Sequence, residues 1–318
     1  LLAGEYEFSP FMEYAKAKQG REDERVICRS SLADALVQKA VAEVVERRFD
    51  RVLSEKCYSY RPGRSHYTAF GQALRYIRER EGYWVVKGDF RTFLDTVDLG
   101  IISQAVEDLF SSEPLLLDLY LKYLYNPRLQ ERRLLPRTVG LPRGGILTPF
   151  LANLYLKPLD EALERFKYLR YADDIFIFAE SRAQAEEAQE TLRERGQYLH
   201  LSLKGCIFEP GEEFECLGYR VRGKEITVRP YALNRLKRRI RRITKRKNYQ
   251  GVKSVRTTEG KEALRRLIER VNRVYIYPGG NDWARPFCRC TTDEQFRELD
   301  RWIADRIRAC VTGNWSFR

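Results

Sequence analysis

The sequence predicts a mixed α/β fold of the α+β kind, in more than one packed unit, and three observations carry that expectation. Short runs of β-branched and aromatic residues, "YWVVKGDF" (83–90) and "YLRYADDIFIFAE" (168–180), read as buried strands. Longer stretches around them repeat apolar residues at helical spacing. Near residue 229 the composition shifts: ten Lys or Arg and no acidic residue lie between Arg229 and Lys247. At 318 residues and 43% hydrophobic content, the chain can bury cores for two or three units.

Taken in order, "SLADALVQKAVAEVVERR" (31–48) places Leu32, Leu36, Ala40 and Val44 one helical turn apart, with Ser30 or Ser31 as the cap. "YSYRPGRS" (58–65) is a Pro/Gly turn, and a second helix follows to about Arg80. The strand at 83–90 ends at Asp89. Residues 101–125 read as helical, "GLPRGGILTP" (140–149) as a loop, and "PFLANLYLKPLDEALERF" as the helix that leaves it. A strand, a tight turn at Asp173-Asp174 and a second strand come next, then a charged helix over 181–195. "FECLGYRVRGKEITV" (214–228) reads as a hairpin turning at Gly223-Lys224, and the remainder as mostly helical. Leu233, Leu236, Ile240 and Ile243 keep an apolar stripe through the basic run.

The net charge is +13, which suits a polyanionic partner. No apolar run approaches the roughly 20 residues of a membrane span, so nucleic acid is expected before a membrane. Seven cysteines, an odd and scattered set, read as reduced thiols of a cytoplasmic protein. Cys288 and Cys290 are too close for the usual zinc pair, and only His66 and His200 could add nitrogen ligands. Neither histidine is given a catalytic role.

Asp89, Asp173 and Asp174 all stand at strand ends. Should the strands be neighbours, three carboxylates meet at one sheet edge. Such a set suits magnesium, which takes hard oxygen ligands and completes its shell with water and phosphate. Two ions about 4 Å apart would serve phosphoryl transfer without a His or Cys nucleophile. The competing reading is an exposed hairpin turn, since Asp favours turns.

These motifs resemble those of the reverse transcriptases, most closely the prokaryotic lineage that includes group II intron proteins. "YADD" (171–174) is similar to the catalytic tetrad and "DFRTFLD" (89–95) to the first metal-binding motif. "GLPRGGILTPFLANLYLKPLD" (140–160) is similar to the nucleotide and template loop, "SYRPGRS" (59–65) to a template-contacting motif, and "FECLGY" (214–219) to the primer-grip hairpin. "ERVICRSSLADALVQKAV" (24–41) is similar to the fingers segment near the incoming triphosphate. The resemblance implies a right-hand polymerase, with fingers over 1–83 and about 111–139, palm over 84–228 and a helical thumb over 229–318. It implies two Mg2+ ions, replaceable by Mn2+, on Asp89, Asp173, Asp174 and the Phe90 carbonyl, with Lys204 protonating the pyrophosphate. Lys18, Arg25, Leu94, Arg143 and Gly144 would face the nucleotide. Tyr60, Arg61, Arg64, Asn153, Leu217, Gly218, Lys237, Arg238, Arg241, Arg242 and Lys245 would contact template or primer. Trp283 and Trp302 are expected as core anchors of the C-terminal unit.

The implied activity is DNA synthesis on an RNA template from dNTPs and a DNA primer. The template could be a dedicated non-coding RNA, and a homo-oligomer or partner protein is open. The alternatives are a splicing-assisting RNA-binding protein and a polymerase without a conventional template. No zinc-bearing endonuclease motif follows the thumb-like region, so a domesticated setting is expected, with antiphage defence ahead of a CRISPR-linked enzyme or a retroelement.

Two positions depart from the family pattern. Leu94 stands where a large aromatic usually blocks a ribose 2′-hydroxyl, and Arg143 stands in place of a neutral glutamine. Thr148 also replaces the usual serine before Pro149. Arg143 could pair with triphosphate, with template phosphate or with a nearby acidic residue. Leu94 is shorter than phenylalanine and predicts weakened exclusion of ribonucleotides. Matched dNTP and rNTP incorporation measures it, and discrimination of several thousandfold would refute it.

Overall fold

The computed structural model describes residues 5–17, 24–80, 82–244, 257–275 and 287–313. Its N-terminal portion begins with an antiparallel pair, β1 (Phe11–Ala17) and β2 (Glu24–Arg29). Helix α1 (Leu32–Phe49) follows, with Ser31 accepting from the Asp34 amide at its start. Its Leu32, Leu36 and Val44 lie at the surface, the first two 80% and 66% exposed, while Asp34, Gln38, Val41 and Val45 face inward. Polar partners explain the inversion. Asp34 accepts from the Ser31 and Tyr6 hydroxyls, and Gln38 accepts from the Ile146 amide, so buried hydrogen bonds outrank hydropathy here.

Helix α2 (His66–Glu79) opens on a Ser65–Thr68 capping box and leads to β3 (Trp84–Phe90). The stretch expected to be helical over 101–125 forms two helices. After the short α3 (Phe93–Thr96) come α4 (Leu99–Phe110) and α5 (Pro114–Leu124), the latter started by proline at its first position. Two three-residue strands, β4 (Arg128–Gln130) and β5 (Arg133–Leu135), form a hairpin through Glu131 and Arg132, both at positive φ. Strand β4 also pairs in parallel with β1, giving the sheet order β2-β1-β4-β5. Residues near 130 thereby join the sheet that the N-terminus begins.

The helix after the glycine-rich loop is likewise two, α6 (Thr148–Tyr155) and α7 (Lys157–Leu163). Then β6 (Lys167–Tyr171) and β7 (Asp174–Ala179) form a hairpin, followed by α8 (Arg182–Tyr198) and β8 (Leu203–Phe208). These strands build a second antiparallel sheet in the order β6-β7-β3-β8. Strand β3 is central, and α8 packs across it and its neighbours. The near-continuous apolar runs in β3 and β7 follow from that position, with helices covering the sheet.

The chain divides into two compact units, Leu1–Pro210 and Gly211–Arg318. The second opens with a meander of β9 (Glu213–Cys216), β10 (Tyr219–Arg222) and β11 (Glu225–Val228). Three helices follow: α9 (Pro230–Ile243), α10 (Thr258–Tyr275) and α11 (Glu294–Thr312). Leu236 and Ile240 meet Leu267, Val271, Leu299 and Ile303 in their core. Composition changes at 229, yet the compact unit begins before β9. The reason is that Gln295 bonds both the amide and the carbonyl of Val228, and the Thr291 hydroxyl accepts from Ile226, so β11 is tied to α11. Among the described residues, no helix is long and apolar enough to cross a membrane.

Candidate active site

The floor of the site is one end of the second sheet. Asp89 pairs with Lys204 across β3–β8, and Gly88 pairs with Ile175 across β3–β7, so Asp89 comes beside the β6–β7 turn. That turn is a two-residue hairpin: Tyr171 pairs with Asp174, leaving Ala172 and Asp173 at the tip, with Ala172 at φ +55°. Asp89 and Asp173 line one cleft of about 1060 Å³. Burial, and then the charge of Asp173, push the Asp89 carboxyl above its ordinary range against the pull of Lys87 and Lys204.

The adjacent arginine does not neutralise the pair. Arg170 is fully buried and forks onto Asp160 at 2.9 and 2.6 Å. A hard divalent cation fits the oxygen donors that remain, Asp89, Asp173 and the peptide of Phe90 at the cleft wall. Asp174 is not among the residues lining the cleft. Among the described residues, no three His, Cys, Asp or Glu form a group that could hold a metal. The cleft itself presents two of the three expected carboxylates, Asp89 and Asp173, and leaves further coordination positions to water and substrate oxygens.

Arg25, Leu94, Arg143 and Gly144 line the same cleft, while Lys18 falls outside the described residues. Arg143 pairs with Asp95 at 2.9 Å, and its Nε is buried without a hydrogen-bond partner. Its carbonyl accepts from the Cys28 amide at 2.8 Å, fastening the loop to β2. Gly144 makes that approach feasible: it sits at φ +102°, and a Cβ there would lie 2.9 Å from the Cys28 carbonyl oxygen. A Cβ on Gly145 would lie 1.9 Å from the Tyr123 hydroxyl. Thr148 bonds that hydroxyl and the Pro142 carbonyl, both at 2.8 Å, and so braces the loop.

Of the residues expected at the template, Tyr60 lines the cleft, 53% exposed at φ +56°, its ring centroid 6.4 Å from that of Tyr171. Three others are engaged within the protein, two of them buried and Arg64 in a surface pair. Arg61 is 5% exposed; it forks onto Asp50 at 2.7 and 2.9 Å and donates to the Ser54 and Cys57 carbonyls. Arg64 binds Glu55 and stacks over Tyr58. Asn153 is 1% exposed and bonded to Ser59 and Arg170. Arg61 and Arg64 bind carbonyls of the segment leading into the Pro/Gly turn, and Asn153 binds the Ser59 carbonyl within it. Arg91, exposed on the cleft wall two residues after Asp89, escaped the sequence reading although its spacing could have flagged it.

In the second unit, Leu217 and Gly218 form the β9–β10 turn, both at positive φ. Lys237 and Arg241 lie over the Trp302 ring at 5.7 and 5.6 Å, and Arg238 over Tyr231 at 6.0 Å. Trp302 packs part-buried against the helical core, as expected of an anchor. Lys245 and Trp283 fall outside the described residues.

A family model described as reverse transcriptase (RNA-dependent DNA polymerase) matches residues 16–221. The group II intron-encoded protein LtrA of Lactococcus lactis subsp. cremoris is 30% identical over 173 residues, which cover 52% of this chain and 27% of LtrA. The chain thus spans about a quarter of that relative. Protein YkfC of Escherichia coli (strain K12) is 26% identical over 265 residues, covering 70% of this chain and 69% of YkfC. Apo telomerase from Candida tropicalis superposes with a TM-score of 0.56 at 10% identity, covering 98% of this chain and 68% of that one. Telomerase from Candida albicans, in complex with a fragment of telomeric RNA, gives 0.55 at 10%, covering 99% and 62%. At such identity the likeness is one of fold, the right-hand polymerase.

The loop geometry generates one prediction. Gly144→Ala should destabilise the protein by about 1–3 kcal/mol through backbone strain and contact with β2. Urea unfolding measures it, and an unchanged midpoint would remove the close approach.

Proposed function

The chain belongs to the reverse transcriptase family, and from that premise we propose that it is an RNA-directed DNA polymerase that extends a DNA primer with dNTPs. The observation that carries the reading is the shared cleft, in which two repelling carboxylates face Arg25, Arg143 and Lys204. Asp89 and Asp173, with the Phe90 carbonyl, would hold the family's divalent ions, for which two Mg2+ are proposed and Mn2+ would substitute. When bound, such ions activate the primer 3′-hydroxyl and neutralise the leaving pyrophosphate. Arg25 and Arg143 would orient the triphosphate, Arg143 by exchanging Asp95 for a phosphate oxygen. Lys204, opposite Asp89 in the sheet, would hold the proton given to pyrophosphate. Leu94 would face the sugar, and Tyr60 would stack on a template base.

The exposed side of α9 would follow the duplex backbone without reading sequence. A prokaryotic antiphage setting is proposed for the activity, and phage challenge of cells carrying active and Asp173→Asn protein tests it.

Asp173→Asn should lower primer extension by about a hundredfold or more, as loss of a group that stabilises transition-state charge does. RNA binding should persist, because removing a negative charge does not weaken a polyanion. Equal extension by the variant would defeat the proposal, whereas a splicing-assisting binder would lose nothing in either assay. Replacing Arg238, Arg239 and Arg242 with Gln should flatten the log–log salt dependence of duplex binding by about 2. An unchanged slope would place α9 away from the duplex.

A further inference from the structure

A fully buried guanidinium is held by fixed partners or not at all, and the partners of Arg170 lead in two directions. Its fork onto Asp160 satisfies Nε and one terminal nitrogen. The other terminal nitrogen donates to the Asn153 side chain at 3.0 Å and to the Ala172 carbonyl at 3.1 Å. Ala172 is the left-handed residue immediately before Asp173, a conformation that a residue with a Cβ seldom holds unaided. The bond from Arg170 fixes that peptide, and with it the tip of the hairpin.

The second direction leads to Tyr60. The Arg170 amide donates to the Lys56 carbonyl at 2.9 Å, and its own carbonyl accepts from the Tyr58 amide at 2.8 Å. Asn153, held by Arg170, accepts from the Ser59 hydroxyl at 3.1 Å and donates to the Ser59 carbonyl at 2.8 Å. Tyr60 is the next residue, itself left-handed and set into the cleft. One residue thus grips the loop on the template side and the turn on the carboxylate side.

We propose that Arg170 is the positioning residue of the site, setting the spacing between Asp173 and Tyr60 through the Ala172 peptide and Asn153. This rests on the reading of Asp173 as a metal-binding group. The Asp160 fork leaves one terminal nitrogen of a fully buried guanidinium to be satisfied. The partners it takes are Ala172, the residue before Asp173, and Asn153, which binds Ser59, the residue before Tyr60.

Arg170→Lys tests the carboxylate arm, since an ammonium can meet Asp160 but cannot also span the other two partners. Mn2+ binding, followed by paramagnetic resonance on the protein without nucleotide, should weaken about tenfold, as when the groups behind metal ligands are lost. Ser59→Ala tests the template arm: the KM for primer–template should rise severalfold while Mn2+ binding stays native. That split is a pattern general destabilisation would not give, and thermal midpoints recorded alongside separate the two. Native Mn2+ affinity in a folded Arg170→Lys protein would overturn the proposal, as would a native KM in Ser59→Ala. Should the lysine variant fail to fold, Ser59→Ala decides the matter. Asp173→Asn is the control. If it binds Mn2+ and extends primers normally, the metal-binding reading fails; if it loses both while Arg170→Lys keeps both, only the positioning role fails.

Discussion

Two carboxylates that repel each other at the end of one sheet set the terms for what surrounds them. Asp89 and Asp173 are brought together by strand register, since the pairing of β3 with β7 leaves little choice of where the hairpin tip can lie. Neither is matched by a private cation. Lys87 and Lys204 oppose the mutual repulsion without cancelling it, and Asp89 stays raised above an ordinary carboxyl. A carboxyl raised by burial and a like charge, in a cleft walled by Arg25, Arg143 and Lys204, marks a candidate functional site.

The surrounding frame adds buried polar contacts to the apolar packing of β3 and β7. Arg170 in β6, Asp160 in α7 and Asn153 in α6 are 0%, 1% and 1% exposed, and Arg170 bonds both of the others. Such groups are costly to desolvate, and each is worth keeping only with its partners present. Their hydrogen bonds constrain direction, which apolar packing does not, and one of them ends on the Ala172 carbonyl beside Asp173.

Much of this was legible in the sequence where a local rule carries it. The strand-terminal aspartates stand out because a charged residue closing an apolar run has few structural excuses, and the cleft gathers Asp89, Phe90, Leu94, Arg143, Asp173 and Lys204 as one set. What was not legible depended on partners distant in sequence. The stripe of α1 points outward because Asp34 and Gln38 answer to Tyr6 and Ile146, which no periodicity reveals. Arg61 and Arg64 beside a Pro/Gly turn read as phosphate contacts, whereas Asp50, Glu55 and nearby carbonyls engage them in the fold. The β4–β5 hairpin has strands of three residues each, too short for alternation to register. Asp173 stands at the hairpin tip while Asp174 opens β7, a distinction that strand pairing decides.

Positions 143 and 144 sit side by side and answer to different demands. At 143 the main chain does the structural work, through the bond from Cys28, while the side chain projects into the cleft. At 144 any side chain at all collides with the neighbouring strand. A replacement at 143 would keep the main-chain bond to β2 and give up the pair with Asp95, whereas any replacement at 144 would meet the Cys28 carbonyl.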